Sequence, residues 1–319
     1  MIINQNTLHE PKLLIEIESF TKRIIDDGLK RKDLPELVRL LDAFEQIYSC
    51  NYIYTDYIGL FEFLSNYEFY GLKQIQDGQY TYASLLGISD WLLAYYSSQF
   101  KIHKSKVLSD IRQYKYRVKE RLNKLRFFNE ILFNRYSRNL VVRVDLKYQI
   151  DKQNLVDIEI FNQHVRKLCN RMANKHYCFK NLKFYVWCLE QAPLGGYHVH
   201  LYLIYDGSKS THDCKLAKWV GRLWMDKITE GLGYYWNCHT SKGADEDRNY
   251  VAVNTVNDQV ETNPNYLNGL GMIERKDPRG LERLEAVYSY FACLTSEKID
   301  QRLRVRVKGM KAFGYSQLI

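Results

Sequence analysis

The chain has 319 residues and a mass of 38.0 kDa, with 46 Lys+Arg against 37 Asp+Glu, a formal charge of +9 and a pI near 9.0. That length suits one large domain or two, and 46% hydrophobic with 26% charged residues excludes a globally disordered chain. No basic leader with an apolar core opens the sequence, and no apolar run approaches the ~20 residues of a membrane span, so a cytoplasmic protein with no membrane partner is expected.

The first third reads as helical and acidic. Leu13, Leu14, Ile17, Phe20, Ile24 and Ile25 recur at helical spacing, as do Leu37, Leu40, Leu41, Phe44 and Ile47, with Asp33 as the expected cap ahead of Pro35 and Glu36. Residues 1–100 hold 8 basic and 14 acidic side chains, leaving 38 and 23 for residues 101–319, a net of −6 against +15. Such asymmetry predicts that the later part faces a polyanion while the first part does something else. The acidic region leaves three readings open: a docking face for a partner protein, a dimerisation element, or a cap on the domain that follows.

Lys101 to Arg126 carries ten Lys/Arg, two acidic residues and neither Gly nor Pro, which predicts a basic helix. Its charges read either as a solvated face or as a phosphate-contacting surface. From Asn139 the pattern changes to short β-branched runs. Leu140–Leu146, Phe184–Glu190 and Tyr197–Tyr205 read as strands, and Phe161–Ala173 and Leu216–Glu230 as helices. A polar stretch covers 237–270, and a last helix begins near Arg279. The fold class expected is α+β, with a helical region over 1–134 and a strand-and-helix domain over 135–319.

Seven Cys, at 50, 169, 178, 188, 214, 238 and 293, form no Cys-x-x-Cys pair and are odd in number, so neither a zinc ribbon nor a secreted disulfide framework is expected. The 26 Tyr read as base-stacking rings or as fillers of half-buried surface.

Chemistry concentrates around one hairpin. Phe184-Tyr-Val-Trp-Cys-Leu-Glu190 and Tyr197-His-Val-His-Leu-Tyr-Leu-Ile-Tyr205 flank a Pro/Gly-containing turn. Strand alternation puts His198 and His200 on one face. If Glu190 lies opposite His198, its carboxylate joins them, because directly opposed residues share a face. Two imidazoles and a carboxylate bind a divalent cation and leave coordination positions open; the bland alternative is two ordinary strand histidines beside a strand-ending Glu. On the last helix, Leu281, Leu284, Tyr288 and Phe291 form one stripe. Tyr290 stands about 200° round from Tyr288, which makes Tyr288 the structural candidate and Tyr290 the reactive one.

These residues resemble the HUH rolling-circle replication endonucleases. More narrowly, Arg143-Val-Asp145-Leu146, Gly196-Tyr-His198-Val-His200-Leu, Tyr290-Phe-Ala and Phe313-Gly-Tyr-Ser316-Gln317-Leu318 look like the replication initiators of filamentous phages (inoviruses) and their prophage relatives. The likeness covers roughly residues 135–319. It implies a ferredoxin-like core whose antiparallel sheet presents the His pair and whose helix presents the Tyr. It implies a nick in single-stranded or cruciform origin DNA in a bacterial cytoplasm, a 5′-phosphotyrosine link, and Mg²⁺ or Mn²⁺ on Glu190, His198 and His200; under it, a partner docked on the acidic first third would be a host replication helicase or polymerase. The sequence departs from the family where a Lys usually follows the Tyr by three or four positions: Cys293 and Leu294 stand there, and the next Lys is Lys298. Two other classes stay in view: a non-cleaving DNA-binding regulator of the same fold, and a non-haem iron oxygenase. The oxygenase gains nothing from +15 or from a helical Tyr. Finally, Arg302, Arg304, Arg306 and Lys308 alternate, predicting either one phosphate-tracking row or a charged edge strand.

Overall fold

The computed structural model describes residues 9–76, 79–192, 195–239, 269–277, 279, 280, 282, 284, 287, 288 and 301–317. The polar stretch read at 237–270 falls mostly outside them.

Helix α1 (Glu10–Asp27) starts where His9 Nδ1 accepts the Lys12 N–H and Pro11 presets the first turn. It buries the stripe expected from its spacing, Leu13, Leu14, Ile17, Phe20, Ile24 and Ile25. Helix α2 (Leu34–Ile47) follows Asp33, but the Asp33 carboxylate does not cap it. It accepts instead from the Lys30 N–H at 2.9 Å and from Arg23 at 2.7 Å, so an ion pair to α1 outcompetes the local bond. After β1 (Tyr52–Tyr54) come α3 (Asp56–Phe63), the small hairpin β2 (Gln74–Gln76) and β3 (Gln79–Thr81), and α4 (Asp90–Ile102). These three-residue strands were not readable from alternation, which needs longer runs.

The expected basic helix is α5 (Lys104–Arg135), which begins and ends later than its charge run. Val118, Leu122, Leu125, Leu132 and Phe133 give it a buried seam, while most of its Lys and Arg point outward.

The centre is an antiparallel sheet of six strands: β4 (Arg138–Tyr148), β5 (Leu182–Ala192), β6 (Gly196–Asp206), β7 (Gly233–Asn237), β8 (Gly271–Glu274) and β10 (Phe313–Tyr315). The order is β10-β5-β6-β4-β7, with β8 also on β4. Helices α6 (Ile158–Ala173) and α7 (Asp213–Leu223) cover one face, where Val142, Val144, Leu146, Val199, Leu201 and Leu203 join a core that is continuous with the helices of the first hundred residues. A second cluster covers the other face: Val141, Val186, Cys188, Tyr202 and Ile204 pack under α5 and under Leu284, Val287 and Tyr288. The last helix read from the sequence is present at those positions, and Arg279, Gly280, Glu282, Leu284, Val287 and Tyr288 are helical.

Close packing of α7 on β7 depends on a glycine, because a Cβ at Gly221 would stand 2.2 Å from the Tyr235 ring. The six cysteines among the described residues are free.

The segment after residue 300 corrects the expected phosphate-tracking row. Arg302 and Arg304 are buried, not exposed. Arg302 donates to Glu18 and Asp56, each at 2.6 Å, and Arg304 also donates to Glu18. The acidic α1 lies within reach, and two guanidiniums without water need a carboxylate. Beyond them, β9 (Val305–Val307) pairs antiparallel with β1, and β10 completes the sheet edge against Val186–Cys188. No described helix is long and apolar enough to cross a membrane.

Candidate metal centre

Strands β5 and β6 form a hairpin in which Glu190 lies directly opposite His198, the register assumed from the sequence. The loop is shorter than the expected 191–197, because Gln191 pairs with Tyr197 and Ala192 with Gly196. Gly196 begins β6 in the left-handed region at φ 57°, a conformation that favours glycine at this tight reversal. Pairing that close to the turn leaves the register little room to slip, and a one-residue slip would put both imidazoles on the opposite face.

Glu190, His198 and His200 therefore share one face, and all three are buried, Glu190 at 1% exposure. Glu190 Oε2 lies 3.3 Å from His198 Nε2 and 2.9 Å from His200 Nε2, and one ligand atom from each residue lies within 4.8 Å of the others.

The outer ring nitrogens are held from behind. His200 Nδ1 stands 2.7 Å from Asp145 Oδ1, and Asp145 lies opposite His200 in the β4–β6 ladder. Arg143, two residues earlier on the same face, grips the Asp145 carboxylate through Nε at 3.2 Å and Nη2 at 3.0 and 3.1 Å. Burial alone would raise the Asp145 pKa, but the Arg143 guanidinium and the His200 ring overcome it and hold the carboxyl well below its usual range. An ionised Asp145 can only accept, so His200 Nδ1 carries a proton and donates it, leaving Nε2 as the ring atom that faces Glu190. His198 Nδ1 faces the Gly196 carbonyl at 3.3 Å. Burial lowers the His198 pKa to about 4, against the opposing pull of Glu190, so the ring is neutral at neutral pH. Its Nε2 faces Glu190 at the same 3.3 Å that separates Nδ1 from the Gly196 carbonyl.

Three electron-pair donors thus converge on one point inside the protein. With Nε2 of both rings deprotonated, that donor set fits a divalent cation. The carboxylate–histidine pairing behind His200 is the usual outer support of a metal-binding imidazole.

Of the sequence-predicted residues, the structure brings Glu190, His198 and His200 together. Tyr288 is a packed structural residue, as its stripe suggested: its ring meets Tyr202 edge-on at 5.5 Å, and its hydroxyl donates to Asn129 Oδ1 at 2.8 Å. Because Tyr202 follows His200 by two residues, the last helix covers the same sheet face as the histidines. Tyr290 lies outside the described residues.

Sequence reasoning did not assign roles to Asp145 and Arg143. The available signal was a pair of opposite charges at alternate positions inside an otherwise apolar strand.

A second cluster, Asp213, Cys214 and His239, also brings three donors together. His239 is already engaged at both nitrogens, accepting the Arg143 backbone N–H at 3.1 Å through Nε2 and donating from Nδ1 to Asp213 at 3.0 Å. It fills the ladder position between β7 and β8 on the edge of β4.

Comparison with protein-family models, curated proteins and solved structures returns no match to this chain.

Proposed function

We propose that the protein is a metal-dependent DNA nickase and strand transferase: a replication initiator that cuts one strand of single-stranded or cruciform origin DNA through a tyrosine and so starts rolling-circle replication. The observation that carries this reading is the convergence of Glu190 Oε2, His198 Nε2 and His200 Nε2 on a sheet face that the tyrosine-bearing helix also covers. Antiparallel β4, β5 and β6 under two helices are compatible with the ferredoxin-like core such endonucleases use.

Glu190, His198 and His200 would hold Mg²⁺ or Mn²⁺, whose chemistry when bound is to polarise a phosphodiester oxygen. Asp145, held by Arg143, accepts from His200 Nδ1, and the Gly196 carbonyl faces His198 Nδ1, which would leave Nε2 of each ring to the cation. Burial keeps the His198 imidazole neutral, the form that offers a lone pair.

The Tyr290 hydroxyl oxygen would attack phosphorus. The new O–P bond retains the 5′ phosphate on the tyrosine, the P–O3′ bond breaks, and the departing 3′ oxygen takes a proton, while the phenol proton is lost to solvent. The bond energy kept in the phosphotyrosine lets a later 3′-OH reseal the strand. The buried ring of Tyr288 and its bond to Asn129 support Tyr290 over Tyr288 in this role.

The test is a denaturing gel of protein incubated with labelled single-stranded origin DNA and Mn²⁺. The expected result is a covalent protein–DNA adduct that disappears in Tyr290→Phe and in Glu190→Ala but persists in Tyr288→Phe. DNA binding without an adduct on any candidate origin would instead identify a non-cleaving regulator.

A further inference from the structure

A cavity of about 690 Å³ lies between α3, α5 and the segment after residue 300, apart from the metal ligands. Four arginines line it: Arg302, together with Arg117 and Arg121, one helical turn apart on α5, and Arg306 on β9. Arg117, Arg121 and Arg306 form no ion pair among the described residues, in contrast to Arg302, which Glu18 and Asp56 neutralise. Arg306 is half-buried. Burial and then the charges of Arg117 and Arg121 lower its pKa, and Asp56 offsets this only in part.

The other charges on the wall do not relieve this. Asp56 is held by Arg302, and Glu62 interacts with Lys106. Asp110 lies two turns before Arg117 on α5. Arg121 is positioned rather than loose: its guanidinium lies 4.9 Å from the Phe313 ring centroid and 5.7 Å from that of Tyr114.

A protein that assembles three cations from two distant segments around a cavity has made a place for a multiply charged anion. Guanidinium forks suit phosphate oxygens, the volume falls in the range of small-ligand sites, and Tyr114, packed on Arg121, and Phe63, packed on His103, add aromatic surface to the wall.

We propose that this cavity binds a nucleotide unit, its phosphate on Arg117, Arg121 and Arg306. The nucleotide could be free or part of a strand, since both present the same chemistry. The site stands apart from the nickase reading, because it uses none of the metal ligands.

The test is fluorescence-detected or calorimetric binding of the full chain to thymidine monophosphate, to a short oligothymidylate and to thymidine, all with chelator present, so that failure of the metal chemistry leaves the result unaffected. The phosphate-bearing probe is expected to bind saturably and thymidine at least about tenfold more weakly, with the Arg117→Gln/Arg121→Gln/Arg306→Gln triple variant losing at least about tenfold as well, as expected for charge-assisted contacts.

Binding of thymidine monophosphate would identify a free-nucleotide site, and binding of the oligothymidylate alone a strand-holding one. The corresponding Lys triple variant, which keeps the charge, should recover part of the affinity. Equal binding by the Gln variant with its melting transition intact, thymidine as tight as its phosphate, or no binding by any probe would each overturn the proposal.

Discussion

An imidazole can offer a lone pair to a cation at Nε2 only while its proton stays on Nδ1, and for His200 that condition depends on Asp145. Replacing Asp145 with Asn keeps the shape but removes the charge that Arg143 and the His200 N–H both use. The expected outcome for Asp145→Asn is a Mn²⁺ affinity about 10- to 100-fold weaker with the fold retained, measured by titration of the metal. The ligands themselves were legible because a strand has a fixed period of two: His-x-His must share a face, and a hairpin admits few registers for Glu190. The support behind them was not legible. Asp145 reaches His200 from a strand 55 residues earlier in the chain, and only the β4–β6 ladder reveals the pair. The choice between Tyr288 and Tyr290 was half readable, because a helical stripe identifies the packed residue without showing what the other one faces.

Among the elements, α1 is tied to the sheet domain at its first turn. Glu10 Oε1 accepts the Ile158 N–H at 3.0 Å, at the start of α6, and a hydrogen bond from the buried Tyr197 hydroxyl. Burial raises the Glu10 pKa from 4.5 to about 7, although Tyr197 and Ile158 pull the other way. The folded state therefore binds this proton more tightly than the unfolded chain does. The stabilising contribution is complete below pH 4.5 and is lost as pH rises through about 7. Glu10→Gln removes that dependence. Its melting temperature relative to the native chain should rise between pH 4.5 and neutrality, as read from thermal melts across that window. Helix α1 itself was plain from its apolar spacing, but its docking was not. A carboxyl in a first turn reads as an ordinary favourable end charge, and nothing local shows that it is buried.

At the scale of the whole molecule, the contrast between an acidic first third and a basic remainder suggested two parts with separate business. Part of that contrast is used internally. Glu18 receives Arg302 and Arg304, and Asp56 receives Arg302, so four charges that looked available to outside partners are closed against each other. Alternation along 302–308 was the right local pattern read toward the wrong surroundings, since the acidic helix that receives it lies nearly the whole chain away. Glu18→Gln leaves two buried guanidiniums short of an anion. It should cost about 3–5 kcal/mol of stability, measured by urea denaturation, whereas changing exposed Glu16, paired with Arg39 on the surface, should cost less than about 1 kcal/mol.

The bond from Arg302 to Glu18 spans 284 positions, and β1 waits for β9 across a similar interval. Closing so long a loop costs entropy before any contact repays it, and such distant pairings slow folding more than they limit final stability. Until the segment from 301 onward docks, the outer edge of β5 exposes unpaired peptide groups, and Glu18 and Asp56 lack their counter-ions. Nascent and half-folded chains therefore present a bare strand next to the hairpin that carries the histidines. That places the hazard of this design in time rather than in space: the chain is most exposed to strand-to-strand aggregation during the interval before its two distant segments meet.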